Sequence, residues 1–248
     1  ENKKNTFGDN VEYTSSILKK FKKDGHKISA NFSTSKDIDK DFSEFSTYKL
    51  GESTVTQLPS RTNNQTQNKN VFLVDYVLPI AKNGQFEMGY KGDFGRFISI
   101  FDSGTLKKFN YNENVNAAYM QYGSKFKKLS YLFGLRAEDT KIDYILSSNN
   151  EKVNKNYIEY FPSAFLTYPI TDISTISLNY SRRISRPRNR FINPFTNMAS
   201  QLNIFQGSPD IDPSFTDALD LGLMTKIKSI TVTSSLYFNK TKYPFQFV

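Results

Sequence analysis

The chain of 248 residues has no cysteine, no tryptophan and one histidine, His26. Without cysteine it can form no disulfide, zinc–thiolate or iron–sulfur site and has no thiol nucleophile. His26 alone supplies neither a metal cluster nor a histidine-based triad. Hydrophobic residues are scarce, at 38%, and the mean hydropathy is −0.54. No apolar run approaches the ~18 to 20 residues that a membrane-spanning helix needs, which excludes a helical membrane protein. No apolar segment follows Glu1-Asn2-Lys3-Lys4, so any signal peptide is expected to be removed or to lie outside this chain. What is present is unusual for a soluble globule, whose core Leu, Ile and Val normally carry. Aromatics reach 15%, as 22 Phe and 15 Tyr, and 33 Lys and Arg against 24 acidic residues leave a formal charge of +9. The length suffices for one large domain or two small ones with a sizeable core.

The local pattern has a period of two. From Ser229 to Asn239 the even positions Ile230, Val232, Leu236 and Phe238 are apolar, Ser234 excepted, and the odd positions are polar. Ile176, Leu178 and Tyr180 alternate in the same way with Ser177, Asn179 and Ser181. So do Ile28, Ala30 and Phe32, then Phe86, Met88 and Tyr90, then Leu219, Leu221 and Leu223. Successive side chains of a strand point to opposite faces, so each segment is a strand with one apolar and one polar side. About ten strands are expected, near 10–21, 26–38, 66–80, 85–98, 108–122, 129–145, 155–168, 173–186, 215–225 and 229–243.

Five connections are short, two of them carrying Asp24-Gly25 and Asn83-Gly84, dipeptides that supply the positive φ of tight hairpins. Four are read as long: 39–65, 99–107, 146–154 and 187–214, and long and short alternate strictly. A soluble sandwich has no reason to gather its long loops at one end, whereas an outer-membrane barrel has short periplasmic turns and long external loops. Its apolar face meets lipid and its polar face lines the lumen, so low hydrophobicity is expected. Phe21, Phe86, Tyr122, Tyr131 and Tyr168 lie within a few residues of short turns, where an interfacial girdle belongs. Ordinary core aromatics of a soluble all-β protein are the competing reading. Loop alternation favours an antiparallel transmembrane β-barrel.

Several ordered segments carry a family resemblance: YIEYFPSAFLTYPI (157–170), ISLNYSRRISRPRNRFINPF (176–195), GSPDIDPSFTDALDLG (207–222) and SITVTSSLYFNKT (229–241). VDYVLPI and GQFEMGYKGDF (within 74–94), FNYNENVNAAYMQY (109–122) and LSYLFGLRAEDT (129–140) precede them in matching order. Together they resemble the barrel of TonB-dependent receptors of Bacteroidota, in the outer-membrane β-barrel protein family. The resemblance covers nearly the whole chain and is most specific over 161–222. It implies a bacterial outer-membrane location and a barrel of about 22 strands preceded by a plug and a carboxypeptidase-regulatory-like domain. With about ten strands, no plug-like segment and the ending Phe245-Gln246-Phe247-Val248, residues 1–248 are read as a partial barrel domain, a central fragment of a larger chain. A self-contained barrel of ten strands is also physically allowed, since even counts from about 8 upward occur.

The densest basic run is Ser181–Arg190. Its arginine forks suit phosphate; in a barrel they suit lumenal salt bridges and the loop rim, near lipopolysaccharide. Arg136 and Glu138 share a face, and lumenal pairing among Arg136, Glu138, Arg183 and Asp220 is expected because buried charges need partners. Arg186, Arg188, Arg190, Asn193, Asp210 and Asp212 are the candidate loop residues facing a ligand. The aspartates at 210, 212, 217 and 220 match no EF-hand spacing; Pro209-Asp210 and Pro213 are read as the start of a strand, where proline is tolerated. Gly89, Gly92 and Gly95 have the wrong spacing for a dinucleotide fingerprint. The aromatics alternate within amphipathic strands rather than interleaving with a basic surface, which argues against nucleic acid.

No catalytic constellation emerges, and no enzyme or cofactor is expected. By resemblance, a receptor of this kind binds substrate at external loops, here 39–65 and 187–214, and imports it when an inner-membrane energy-coupling complex pulls on the plug. The alternative is a structural barrel that scaffolds a larger membrane complex without transport. Implied partners are outer-membrane lipid and lipopolysaccharide, the energy-coupling complex, and surface lipoproteins or other subunits.

Overall fold

The alternating segments pair, in sequence order, into one antiparallel sheet of ten strands. The computed structural model describes residues 2–48, 55–195, 197–200 and 203–246. The strands are β1 (Asn2–Lys20), β2 (Lys27–Tyr48), β3 (Val55–Ile80), β4 (Gly84–Asp102), β5 (Leu106–Phe126), β6 (Leu129–Leu146), β7 (Glu151–Pro169) and β8 (Ser174–Ser185). A helical turn, α1 (Asn189–Ile192), and a small hairpin of β9 (Asn197–Ser200) with β10 (Asn203–Phe205) follow. The chain then returns as β11 (Ser214–Ile227) beside β8 and ends in β12 (Ile230–Lys242). β1 and β12 are the sheet's two edges and do not pair with each other.

Register turns the sequence alternation into continuous rows. One outward row runs Ile28–Tyr76–Met88–Met120–Leu135–Pro162 across six strands. Another joins Leu178, Leu221 and Leu236. Met88, Met120, Leu135, Leu178, Leu221 and Leu236 are all exposed. A contiguous apolar face of this size would be an aggregation surface in water and is the lipid face of a barrel wall. The opposite face carries Glu113, Arg136 and Glu138 and, among the described residues, the buried core in which Phe97, Phe101, Phe109, Tyr111, Ile142 and Tyr144 pack with Ile192 and Phe195.

Three of the four long connections shrink. The β2–β3 ladder continues to Tyr48↔Val55, so most of 39–65 is strand; residues 49–54 lie outside the described residues. Asp102↔Leu106 and Leu146↔Glu151 leave only 103–105 and 147–150 as turns. The outer halves of β2 and β3 are rich in Asn, Gln, Thr and Asp on both faces. There backbone pairing persists where hydrophobic alternation has stopped. Only the segment 186–213 between β8 and β11 is long. The second short turn also differs from expectation. Its positive φ, 53°, falls on Ala81, and Gly84 is needed instead because a Cβ there would come 2.8 Å from the Ile80 carbonyl oxygen. Gly25 does take the positive φ of its turn, at 73°.

Candidate functional site

Strands β4 to β7 set the lumenal rows. Register aligns Gly95 with Glu113 and Ile142, Lys91 with Ala117 and Glu138, and Gly89 with Tyr119 and Arg136. Small residues at 89, 95 and 117 leave room between the rows for long charged side chains. Glu138, only 5% exposed at its side chain, is the centre. Arg136 Nε donates to its Oε1 at 2.6 Å, and Arg186 donates from a terminal guanidinium nitrogen to its Oε2 at 2.6 Å. The same Arg186 nitrogen donates to Thr140 Oγ1 at 3.1 Å, while Arg186 Nε lies 3.2 Å from Glu113 Oε1. Two arginines and two glutamates thus neutralise one another on a wall where an unpaired ion would be costly. Beside them Lys69 and Lys91 approach Asp93 at 3.2 and 3.5 Å.

The described part of segment 186–213 does not extend outward as an open loop. It folds back onto the inner face of β4–β6. Ile192 and Phe195 are buried, and Phe195 stacks on Phe101 with ring centroids 5.6 Å apart. Asn193 donates to Ser99 Oγ at 3.1 Å, which donates to Asn63 Oδ1 at 3.0 Å, and Asn189 donates to Gln67 Oε1 at 2.7 Å. Tyr144 donates to Asp210 at 2.7 Å, and Lys155 lies 3.4 Å from Asp212. The segment closes on itself where Gly207 N–H donates to the Asn193 carbonyl and Ser208 N–H to that of Phe191. A Cβ at residue 207 would run into both carbonyl oxygens, so only glycine allows this closure. Pro213, buried, hands the chain directly to β11.

Each residue singled out from sequence has a definite place. Arg136 and Glu138 meet, and their further partner is Arg186 rather than Arg183 or Asp220. Arg183 Nε donates to Ser181 Oγ at 3.1 Å, and Asp220 accepts from Asn179 at 3.1 Å, both on β8–β11. Arg188 and Arg190 remain exposed, Arg190 lying over the Phe205 ring at 4.6 Å. Asn193 is buried, and Asp210 and Asp212 are engaged by Lys155. Asp217 accepts from Tyr180; among the described residues no group of three or more His, Asp or Glu could hold a metal ion. Sequence reasoning missed Glu113, Thr140, Asp93, Tyr144 and Lys155. The first three lie at the inward parity of β4–β6, and that parity was the signal available for them.

The arrangement is a β wall whose inner face at β4–β6 is covered by its own charge-locked segment. The sequence model described as the outer membrane protein beta-barrel family matches residues 19–248. No curated protein matches the sequence. Among solved structures, the copper transporter OprC superposes with a TM-score of 0.70 at 10% identity, over 94% of this chain and 39% of OprC. The ferric-catecholate import receptor Fiu of E. coli K12, in its closed form, gives 0.56 at 12% identity, over 95% and 41%. The alcaligin outer-membrane receptor FauA of Bordetella pertussis gives 0.53 at 13%, over 97% and 44%. The chain therefore spans about two-fifths of the length of these structures. At such identities the likeness shows a shared fold.

Proposed function

Because the chain belongs to the outer membrane protein beta-barrel family and so resides in the bacterial outer membrane, we propose that it forms part of the wall of a TonB-dependent receptor. That receptor binds a substrate at its external face and imports it with energy supplied from the inner membrane. One observation carries the reading: the inner face of β4–β6 is covered by residues 189–195, held by buried aromatics and by the Arg186–Glu138 pair. A passive pore leaves its polar lumen open. A wall face covered and ion-locked by its own segment has to be uncovered, and uncovering it needs work. The solved structures of like fold, a copper transporter, a ferric-catecholate import receptor and an alcaligin outer-membrane receptor, support the same reading.

On this proposal Arg188 and Arg190, exposed at the mouth, are the first contacts for an arriving substrate. Arg183 and Asp220 line the inner face of β8–β11. Arg186, Asn193 and Asp210 hold the segment in place rather than meeting substrate. The plug and its coupling segment, carried elsewhere in a full-length receptor, are the partners of the energy complex.

The test is uptake in the native host lacking the gene. Cells are offered labelled ferric chelates, copper, cobalamin and oligosaccharides, with and without a protonophore. Accumulation of one class that needs both the gene and an energised inner membrane is the expected result. No gene-dependent uptake of any class, with the barrel recovered in a stable multi-protein complex, overturns transport in favour of a scaffolding barrel.

A further inference from the structure

The formal charge of this chain is distributed unevenly along the barrel axis. The five short connections are 21–26, 81–83, 127–128, 170–173 and 228–229. With two residues on either side of each, they hold eleven lysines and two acidic residues, Asp24 and Asp172. Five of the lysines lie between Lys19 and Lys27, three between Lys125 and Lys128, one at the second turn and two at the fifth. The rest of the chain has 22 basic and 22 acidic residues, so the whole excess of +9 sits at this end. The opposite connections are mixed: Asp102 faces Lys107 in sequence, and Glu151 adjoins Lys152.

All eleven lysines are exposed, and among the described residues none makes an ion pair. Their surroundings are not those of an ordinary solvated face. Phe126, Ile227 and Ile230, more than half exposed, adjoin them on the lipid-facing side. Lys127 Nζ lies over the Phe126 ring at 5.7 Å and Lys19 Nζ over the Phe21 ring at 5.3 Å. An ammonium tethered to a lipid-facing aromatic sits at headgroup depth, its stem along apolar surface and its charge at the boundary. Short turns of such barrels face the periplasm. The charges are lysines throughout, point charges that suit a fluid layer of phosphates better than the fixed fork of arginine.

We infer that the short-turn rim is a docking surface for anionic phospholipid headgroups in the periplasmic leaflet of the outer membrane. The lysine collar draws phosphatidylglycerol-type lipids around the barrel foot and fixes its depth. The inference rests on the chain's place in the membrane and is independent of whether the barrel transports anything.

The experiment uses the full-length protein, reconstituted in vesicles of phosphatidylethanolamine mixed with phosphatidylglycerol, then extracted and examined by native mass spectrometry for retained lipid. Wild type is compared with a first-turn variant in which Lys19, Lys20, Lys22, Lys23 and Lys27 become Gln. A third-turn variant (Lys125, Lys127 and Lys128→Gln) and an outer-rim control (Lys107 and Lys152→Gln) complete the set. A lysine at an anionic surface strengthens attraction by about fivefold, so the first-turn variant should lose phosphatidylglycerol preference by on the order of tenfold or more, with the control unchanged. Raising the salt concentration on wild type alone should weaken the preference, because exposed charges are screened; this arm stands even if a multiple variant fails to fold. Equal retention of the two lipids by wild type, or equal loss in the control, overturns the inference.

Discussion

Glu138 has two arginine partners on two different parts of the chain, one on its own strand and one 48 residues away. Removing its charge leaves Arg186 beside Arg136 with only Glu113 to balance them. Breaking a buried pair from one side costs about 3–5 kcal/mol, since the remaining ion has lost its counter-charge. Glu138→Gln is therefore expected to lower the temperature at which the full-length protein loses its compact form on unheated-to-boiled gel series, and to speed protease cleavage within 186–213. Arg183→Gln is the matched comparison. Arg183 is exposed and makes one side-chain bond, to Ser181, so its loss should stay within about 0.5 kcal/mol. Equal shifts for the two variants would remove Glu138 from the centre of the lock. Phe195→Ala tests the apolar half of that lock, where emptying a buried aromatic site costs about 3–5 kcal/mol; it should expose 186–213 to protease while leaving the wall's heat-modifiability intact.

At the scale of the element, alternation is a prediction of chemistry at successive positions. Leu219 and Leu221 pair with Phe238 and Leu236 on the lipid face, while Asp220 between them faces Asn179. In a full-length protein kept free of other cysteines, single cysteines at 219 and 221 should resist a water-soluble maleimide in the membrane and react after transfer to denaturant. A cysteine at 220 should react in the membrane. Labelling at all three alike would mean that β11 is not a wall strand. In the outer half of β2, cysteines at Ile38 and Asp39 should both react, because that part of the ladder stands above lipid. The same contrast explains what was legible in sequence. β8, β11 and β12 were readable because lipid imposes an apolar residue at every second position. The outer halves of β2 and β3 read as a loop in sequence because water accepts polar side chains on both faces, and backbone pairing such as Asp39↔Gln65 leaves no mark in composition. Arg136 and Glu138 were readable as neighbours by parity. Arg186, at the end of the expected strand 173–186, reads as a rim residue facing a ligand, and a contact with Glu138 48 residues away has no local pattern.

At the scale of the whole molecule, the sheet has two free edges, and these decide what the ten strands can do alone. β12 is exposed at every residue and β1 at every residue whose side chain is described, and each presents a row of unpaired N–H and C=O groups along one side. In water an edge is a liability for aggregation; in hydrocarbon each unsatisfied group costs several kcal/mol, so a spanning sheet must close. Closure of these ten strands on themselves would require β1 to meet β12, and their lengths, 19 and 13 residues, are poorly matched. The solved structures of the same fold are more than twice as long as this chain. Residues 1–248 expressed alone and refolded into detergent micelles are therefore expected to aggregate or to run at one position on a gel, boiled or not. The full-length protein should migrate faster unboiled, as a closed hydrogen-bonded barrel does. If residues 1–248 alone gave a monomeric, heat-modifiable species, β1 and β12 would have to pair, the lumen would be far narrower, and the segment 189–195 would then fill it as the core of a small barrel rather than sit against one wall of a large one.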